Sequence, residues 1–115
     1  MKGEEARQIL HNILGSQLVF NKTFDQYIEQ LKEGMTQELI EWCKRCKDNK
    51  EIGSVPPKKE HKNLYIFFRK IGSNVRAILI KEQNSNFIQL ILENHEYYDD
   101  TRMHYGYKKS SYYGS

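Results

Sequence analysis

The residues best suited to chemistry in this sequence are an arginine, a histidine and a tyrosine in its second half. Arg76 lies in the apolar stretch 75–82, and His95 and Tyr98 follow the next apolar stretch. A guanidinium can stabilise the negative charge that develops on a phosphodiester, while an imidazole and a phenol can transfer protons. We therefore predict acid–base chemistry on a phosphodiester without a metal, with Arg76, His95 and Tyr98 as the catalytic residues.

This chemistry requires RNA as the substrate, because the attacking group is the 2′-hydroxyl of the ribose, which DNA lacks. Arg69 is a candidate for a second cation at the same site. A general acid–base group contributes about 10²–10⁴-fold in rate. The loss of His95 is therefore expected to be severe without abolishing activity entirely. The alternative for His95 is a purely structural role at the end of a strand, hydrogen-bonded to a neighbouring carboxylate.

A second group of residues suits nucleic-acid binding. Residues 101–115 hold three cations, four tyrosines and one histidine but no carboxylate, and the loop 48–63 is also basic. Aromatic rings stack on bases while cations contact phosphates, which is typical of proteins that bind RNA or single strands. The predicted RNA-binding residues are Arg69, Lys70, Lys58, Lys59, Lys62, Arg102, His104, Tyr105, Lys108 and Lys109. The alternative is a solvated tail and an ordinary exposed loop.

Other kinds of site find little support. Cys43 and Cys46 form the single CxxC pair, and a zinc site would need two further ligands at matching spacing. Residues three apart share one helical face, so we predict two small buried residues beside Trp42. The sequence contains no GxxxxGK[ST], GxGxxG, GxSxG or HExxH motif. No metal or other cofactor is expected.

Three runs of β-branched and aromatic residues predict strands at residues 64–71, 75–82 and 87–92. The short connections between them require an antiparallel meander, since parallel neighbours need a crossover of a dozen or more residues. The first hairpin loop can hold two or three residues. A two-residue loop pairs Arg69 with Arg76, and a three-residue loop pairs Lys70 with Arg76. Either pair is cationic, which suggests an anionic ligand or a nearby carboxylate at a solvated strand end.

Helices are predicted before the strands. Residues 2–14 have an amphipathic pattern, and residues 17–21 can form a short edge strand of the same sheet. A capping box at Thr23 opens a helix that Gly34 ends, and Thr36 opens the next one. The predicted fold class is α+β, with N-terminal helices packed on one face of a small antiparallel β-sheet and a basic, tyrosine-rich C-terminal tail.

The 115 residues predict a single domain. No charged segment followed by an apolar run opens the chain, and no apolar run approaches the roughly 20 residues needed to span a bilayer. Two cysteines that are three residues apart cannot form a disulfide framework. We therefore expect a soluble, cytoplasmic protein with no membrane partner. The net charge of +3 is modest, so the local clustering of cations matters more than their total.

This order of elements and residue types resembles the RelE/ParE superfamily of bacterial and archaeal toxins, and in particular RelE-like mRNA interferases. The segment QLVFNKTFDQYIEQL is similar to the first strand and helix of that fold. Val75–Leu79 resembles the strand that carries the catalytic arginine, and His95–Tyr98 resembles the segment with the terminal catalytic residues. The similarity covers about residues 17–98. It implies a RelE-like core at 16–100, preceded by an extra helix at 1–15 and followed by the tail at 101–115.

The resemblance implies metal-independent cleavage of messenger RNA, often on the ribosome, with a cognate antitoxin protein as partner. One branch of the superfamily instead poisons DNA gyrase without cutting RNA. The extra helix and the tail depart from the family pattern, and the tail leaves His104, Tyr105 or Lys108 as substitutes for His95 or Tyr98. The alternatives to a nuclease are a non-catalytic nucleic-acid-binding protein and a ParE-like toxin that binds a protein partner.

Overall fold

The computed structural model describes residues 1–108, which form four α-helices, four strands and one 3₁₀ turn. In chain order they are α1 (Gly3–Leu14), β1 (Val19–Phe20), α2 (Phe24–Gln30), α3 (Glu33–Lys47), the 3₁₀ turn Lys59–His61, β2 (Leu64–Ile71), β3 (Val75–Glu82), β4 (Phe87–Glu93) and α4 (His95–His104). The α+β class is therefore confirmed.

The strands form one mixed sheet in the order β1-β4-β3-β2. Strands β2, β3 and β4 make the predicted antiparallel meander, and β1 joins its edge in parallel with β4. The prediction of a short edge strand is confirmed, while the prediction of an antiparallel sheet is corrected to a mixed one. The first hairpin has the three-residue loop, which places Lys70 opposite Arg76.

Helices cover both faces of the sheet, not one as predicted. Val75, Ala77 and Leu79 of β3 belong to the core beneath α1, α2 and α3. Ile78 and Ile80 face the other side, where they pack with Tyr98 of α4. The continuous apolar run of β3 is typical of a strand that is buried on both faces. We call the face that carries Arg76, Ile78 and Ile80 the α4 face.

The break between α2 and α3 lies earlier than predicted. Leu31 has an extended backbone, α3 begins at Glu33, and Gly34 is inside its first turn. The helix α2 does begin after Thr23, but the Thr23 side chain does not cap it. Its hydroxyl donates a hydrogen bond to the carbonyl of Leu92 at 2.9 Å. Tertiary contact with β4 has therefore replaced the local capping interaction.

The predicted boundary between core and tail falls inside a helix. Helix α4 runs across it, and its N-cap Asn94 accepts a hydrogen bond from the Tyr97 amide. Residues 101–104 are therefore helical, and the remaining part of the predicted tail from Lys109 onward lies outside the described residues. Within residues 1–108, no helix combines the length and apolar character needed to cross a membrane.

Candidate functional site

The three predicted catalytic residues lie at the same end of the α4 face but differ in accessibility. Arg76 is 5% exposed, and Tyr98, which packs from α4 against Ile78 and Ile80, is 0% exposed. The His95 side chain is 44% exposed at the start of α4, with its Nε2 3.8 Å from Oδ2 of Asp99. The structure therefore brings Arg76 and Tyr98 to one face but does not gather all three around an open concavity.

Tyr98 is held in the interior by aromatic and cationic neighbours. Its ring meets Phe68 edge-on, with centroids 5.8 Å apart. Burial raises the pKa of the Tyr98 phenol, while the nearby guanidinium groups of Arg102 and Arg76 act in the opposite direction. A phenol with a raised pKa stays protonated at neutral pH, so it can donate a hydrogen bond or a proton.

Arg76 is a buried cation with few partners. Its Nη1 donates to the backbone carbonyls of Ser73 and Val75, at 3.2 and 3.4 Å. Its Nε is buried and has no hydrogen-bond partner among residues 1–108. Within that range the Arg76 guanidinium also has no carboxylate oxygen within 4.0 Å. Burying an uncompensated charge is costly, so this arrangement suggests a site for an anion.

Glu93 is a titratable residue at this site that sequence reasoning missed. It is the cross-strand partner of Arg76, but its carboxylate accepts hydrogen bonds from the Thr101 hydroxyl at 3.0 and 3.2 Å. Burial raises the pKa of Glu93; the Thr101 hydrogen bond opposes that rise and the charge of Asp100 adds to it. The register of β3 with β4, which shifts between Ile80 and Lys81, places Glu93 opposite Arg76 on the α4 face, and that register could not be fixed from sequence.

Glu93 also borders an open cleft between the start of α4 and the β1–α2 connection. The cleft has a volume of about 480 Å³. Its lining residues are Asn21, Lys22, Thr23, Tyr27, Glu93 and Tyr97. We call it the Glu93 cleft. A perturbed carboxyl in a cleft with aromatic walls is a typical feature of a ligand site.

Several predicted RNA-binding residues are brought together from two distant segments. The His61 ring lies 5.3 Å from that of His104 and 4.8 Å from that of Tyr105, between centroids. The Lys58 amide donates to the Tyr105 carbonyl at 3.4 Å. The resulting composite basic surface consists of Lys58, Lys59, His61, Lys62, His104 and Lys108. The loop 48–63 is therefore packed against the C-terminal segment.

Two hydrogen bonds anchor this contact. The Tyr107 hydroxyl lies 2.7 Å from the Ser54 hydroxyl and donates to the Ser54 carbonyl at 3.2 Å. Tyr105 is half-buried beside them, and burial raises the pKa of its phenol, as does the nearby charge of Glu93. Tyr105 therefore helps to hold the two segments together and is only partly open to a ligand.

Arg102 is packed among aromatic rings. Its guanidinium lies 4.7 Å from the Phe68 centroid, 5.7 Å from that of Tyr98 and 5.3 Å from that of Tyr107. Its Nε donates to the Lys108 carbonyl at 3.2 Å. These contacts give Arg102 a structural role at the junction of α4 and the C-terminal segment.

Arg69 and Lys70 diverge because neighbouring residues of a strand point to opposite faces. Arg69 lies on the face covered by α3, where its Nη2 is 2.7 Å from Oε1 of Glu38. The structure therefore does not bring Arg69 together with Arg76, beside which it was expected as a second cation. Lys70 is the exposed cross-strand neighbour of Arg76. Lys109 lies outside the described residues.

Cys43 and Cys46 are free and buried in the core under α3, as predicted. Within residues 1–108, no three His, Cys, Asp or Glu side chains are grouped as the ligands of a metal ion would be. Comparison with known proteins gives no match to a family model, a curated protein or a solved structure.

Proposed function

We propose that this protein is a metal-independent endoribonuclease, the toxin of a toxin–antitoxin system that cleaves messenger RNA in the cytoplasm. One observation carries the proposal: the buried Arg76 guanidinium has no carboxylate partner within residues 1–108 and shares its face with Tyr98. The element order is consistent with the resemblance to RelE-like toxins, because after the extra helix α1 a strand and two helices lead to the meander.

The composite basic surface supports RNA binding. It combines four lysines and two histidines. The 3₁₀ turn Lys59–His61, which belongs to this surface, contains one carboxylate, that of Glu60. The lysines Lys58, Lys59 and Lys108 are exposed, as a phosphate contact requires. Cations on adjacent segments can follow a flexible RNA backbone, and the affinity then depends strongly on salt.

The proposed reaction is an internal transesterification. The ribose 2′-oxygen forms a bond to phosphorus as the bond from phosphorus to the 5′-oxygen breaks. His95 and Tyr98 move the two protons, one from the 2′-hydroxyl and one to the leaving 5′-oxygen, while Arg76 stabilises the charge on the phosphoryl oxygens. The products are a 2′,3′-cyclic phosphate and a 5′-hydroxyl.

Cleavage by these residues requires a change in α4. Tyr98 has no exposed surface and Arg76 has almost none, so a phosphate cannot reach either while α4 lies against the sheet. We propose that RNA binding shifts α4 relative to β3 far enough for a phosphate to enter between Tyr98 and Arg76. Helix α4 is polar for most of its length, and its buried residues are Tyr98 and Asp99.

The test is incubation of RNA with the protein in EDTA, with and without ribosomes. The wild type is expected to cut, and Arg76→Gln is expected to cut at least 100-fold more slowly. The matched control is Arg69→Gln, on the opposite face and paired with Glu38, which should retain activity. RNA that stays intact under every condition would overturn the proposal.

A second candidate function is RNA binding without cleavage, and the complete burial of Tyr98 favours it. In this case the RNA remains whole, its affinity falls steeply with salt, and substitutions at the composite basic surface weaken binding while Arg76→Gln does not. Binding and cleavage measured on the same variants therefore separate the two functions.

A further inference from the structure

The Glu93 cleft has an acceptor that is only partly used. Both oxygens of the Glu93 carboxylate lie within hydrogen-bond distance of the Thr101 hydroxyl, which has one hydrogen to donate. No Lys, Arg or His nitrogen within residues 1–108 lies within 4.0 Å of the carboxylate. A carboxylate has about four lone-pair positions, so most of its capacity to accept hydrogen bonds is open.

The walls of the cleft suit a flat, aromatic ligand. Tyr97 is one of the few large apolar side chains that are strongly exposed, at 59%. Tyr27 lines the same cleft and packs against the core on its other side. Rings of this kind stack on unpaired bases of RNA. Lys22 in the lining supplies a cation for the attached phosphate.

The pattern of acceptors selects one base. Guanine presents two adjacent donors, N1–H and N2–H₂, which match the two oxygens of a carboxylate. Adenine and cytosine present an amino donor next to an acceptor nitrogen, and uracil presents one N–H between two carbonyls. A carboxylate, which only accepts hydrogen bonds, is repelled by these neighbouring acceptors.

We propose that the Glu93 cleft binds a guanine base of the RNA, with Glu93 accepting from its N1–H and N2–H₂ and Tyr97 stacking on its ring. This inference rests on the proposed action on RNA and adds base specificity to it. Because Glu93 is the cross-strand partner of Arg76, a guanine in the cleft fixes which phosphate approaches the guanidinium. The protein then cuts at a defined position relative to a guanosine.

The test uses nucleotides alone and needs no cleavage. The five 5′-monophosphates of guanosine, inosine, adenosine, cytidine and uridine are titrated into the isotope-labelled full-length protein, and amide chemical shifts are followed by NMR. The guanosine nucleotide is expected to shift the amides of residues 21–23 and 93–97 and to bind at least 10-fold more tightly than the other four. The inosine nucleotide lacks N2–H₂, so the difference between its affinity and that of the guanosine nucleotide measures the contribution of the second hydrogen bond.

Two variants and one control sharpen the result. Glu93→Gln replaces one acceptor with a donor and should remove the preference for guanosine. Tyr97→Ala, at a position that is 59% exposed, should weaken binding of all five nucleotides. The control is Glu51→Gln. Glu51 lines another cleft, of about 390 Å³ at the other end of β3, which also contains a tyrosine, Tyr65, and a lysine, Lys81. This substitution should leave the affinities for all five nucleotides unchanged.

Equal affinities for the five nucleotides, or shifts confined to the composite basic surface, would overturn the inference. Its failure is distinguishable from failure of the proposed function. Cleavage in EDTA without a guanosine preference rejects the base site and keeps the nuclease. A guanosine preference that depends on Glu93, with RNA left intact, keeps the site and rejects the nuclease.

Discussion

Arg76 and Glu93 lie opposite each other in the β3–β4 register, yet they do not form an ion pair. The guanidinium turns to the backbone carbonyls of its own hairpin, and the carboxylate turns to Thr101 of α4. Glu93 borders an open cleft, whereas the buried Arg76 becomes available to a ligand only when α4 moves. This relationship links the anion site at Arg76 to the Glu93 cleft.

Because the Arg76 guanidinium is buried without a carboxylate partner within residues 1–108, we expect this residue to lower the free energy of unfolding. Replacing its guanidinium with an apolar chain in Arg76→Met removes a buried charge without a carboxylate partner, so the free energy of unfolding is expected to rise by about 1 kcal/mol. RNA cleavage is expected to be lost in the same variant. Urea denaturation measures the first effect.

The matched control for Arg76→Met is Arg69→Met. It breaks the pair with Glu38, which is partly exposed, and should lower stability by no more than about 1 kcal/mol. A clear loss of stability in Arg76→Met would show that Arg76 is a structural residue whose partners satisfy it.

The raised pKa of Glu93 predicts a specific dependence of stability on pH. The folded state disfavours the ionised carboxyl, so this residue lowers stability as the pH rises from its ordinary pKa of 4.5 through its higher folded value. Glu93→Gln should therefore have a higher Tm than the wild type at pH 7, and the difference should vanish below pH 4.5. Thermal unfolding over a pH series checks this.

For comparison, Glu96→Gln alters an exposed carboxylate in the first turn of the neighbouring helix α4 and should not produce this rise in Tm at pH 7. A Tm of Glu93→Gln below that of the wild type at pH 7 would contradict the account, because it would mean that the fold favours the charged carboxylate.

The two cysteines are expected to be unreactive in the folded protein. Burial raises the pKa of the Cys43 thiol well above its usual value and that of Cys46 to about 12, so thiolate is scarce at pH 8. A thiol reagent should label neither residue over minutes in buffer and both in 8 M urea, about the concentration that unfolds most domains. Rapid labelling without urea would place one of them at the surface.

The composite basic surface predicts how RNA affinity varies with salt. Each of Lys58→Ala, Lys59→Ala and Lys62→Ala should weaken RNA binding and reduce the slope of log affinity against log salt by about 0.7. Lys44→Ala, on α3 and paired with Glu41, is the matched control and should leave the slope unchanged. Identical slopes in all four variants would exclude this surface as the site of contact.

The strands were predictable because their signals are local. Runs of β-branched residues and the turn at Gly72, whose φ of 66° suits glycine, define β2 and β3 without reference to the rest of the chain. The pairing of Lys70 with Arg76 depends on the length of the first hairpin loop, and the sequence allowed a loop of either two or three residues. Glu93 could not be identified as a site residue because its position opposite Arg76 depends on the register between β3 and β4, which shifts between Ile80 and Lys81.

The position of helix α4 and the packing of the loop 48–63 against the C-terminal segment were not predictable, for a different reason. The sequence of α4 lacks an apolar face and buries Tyr98 and Asp99, so its position depends on packing against β3. The loop is held by Ser54 and Tyr107, which are 53 residues apart in the chain. Contacts between such distant residues leave no periodic signal in the sequence.

The most direct test of the central claim is the identity of the ends produced when a synthetic RNA is incubated with the protein in EDTA. We expect a 2′,3′-cyclic phosphate and a 5′-hydroxyl at each cut, and no cut where a single 2′-deoxynucleotide replaces the attacking ribose. Intact RNA, cleavage that requires a divalent metal ion, or products that carry a 5′-phosphate would contradict it.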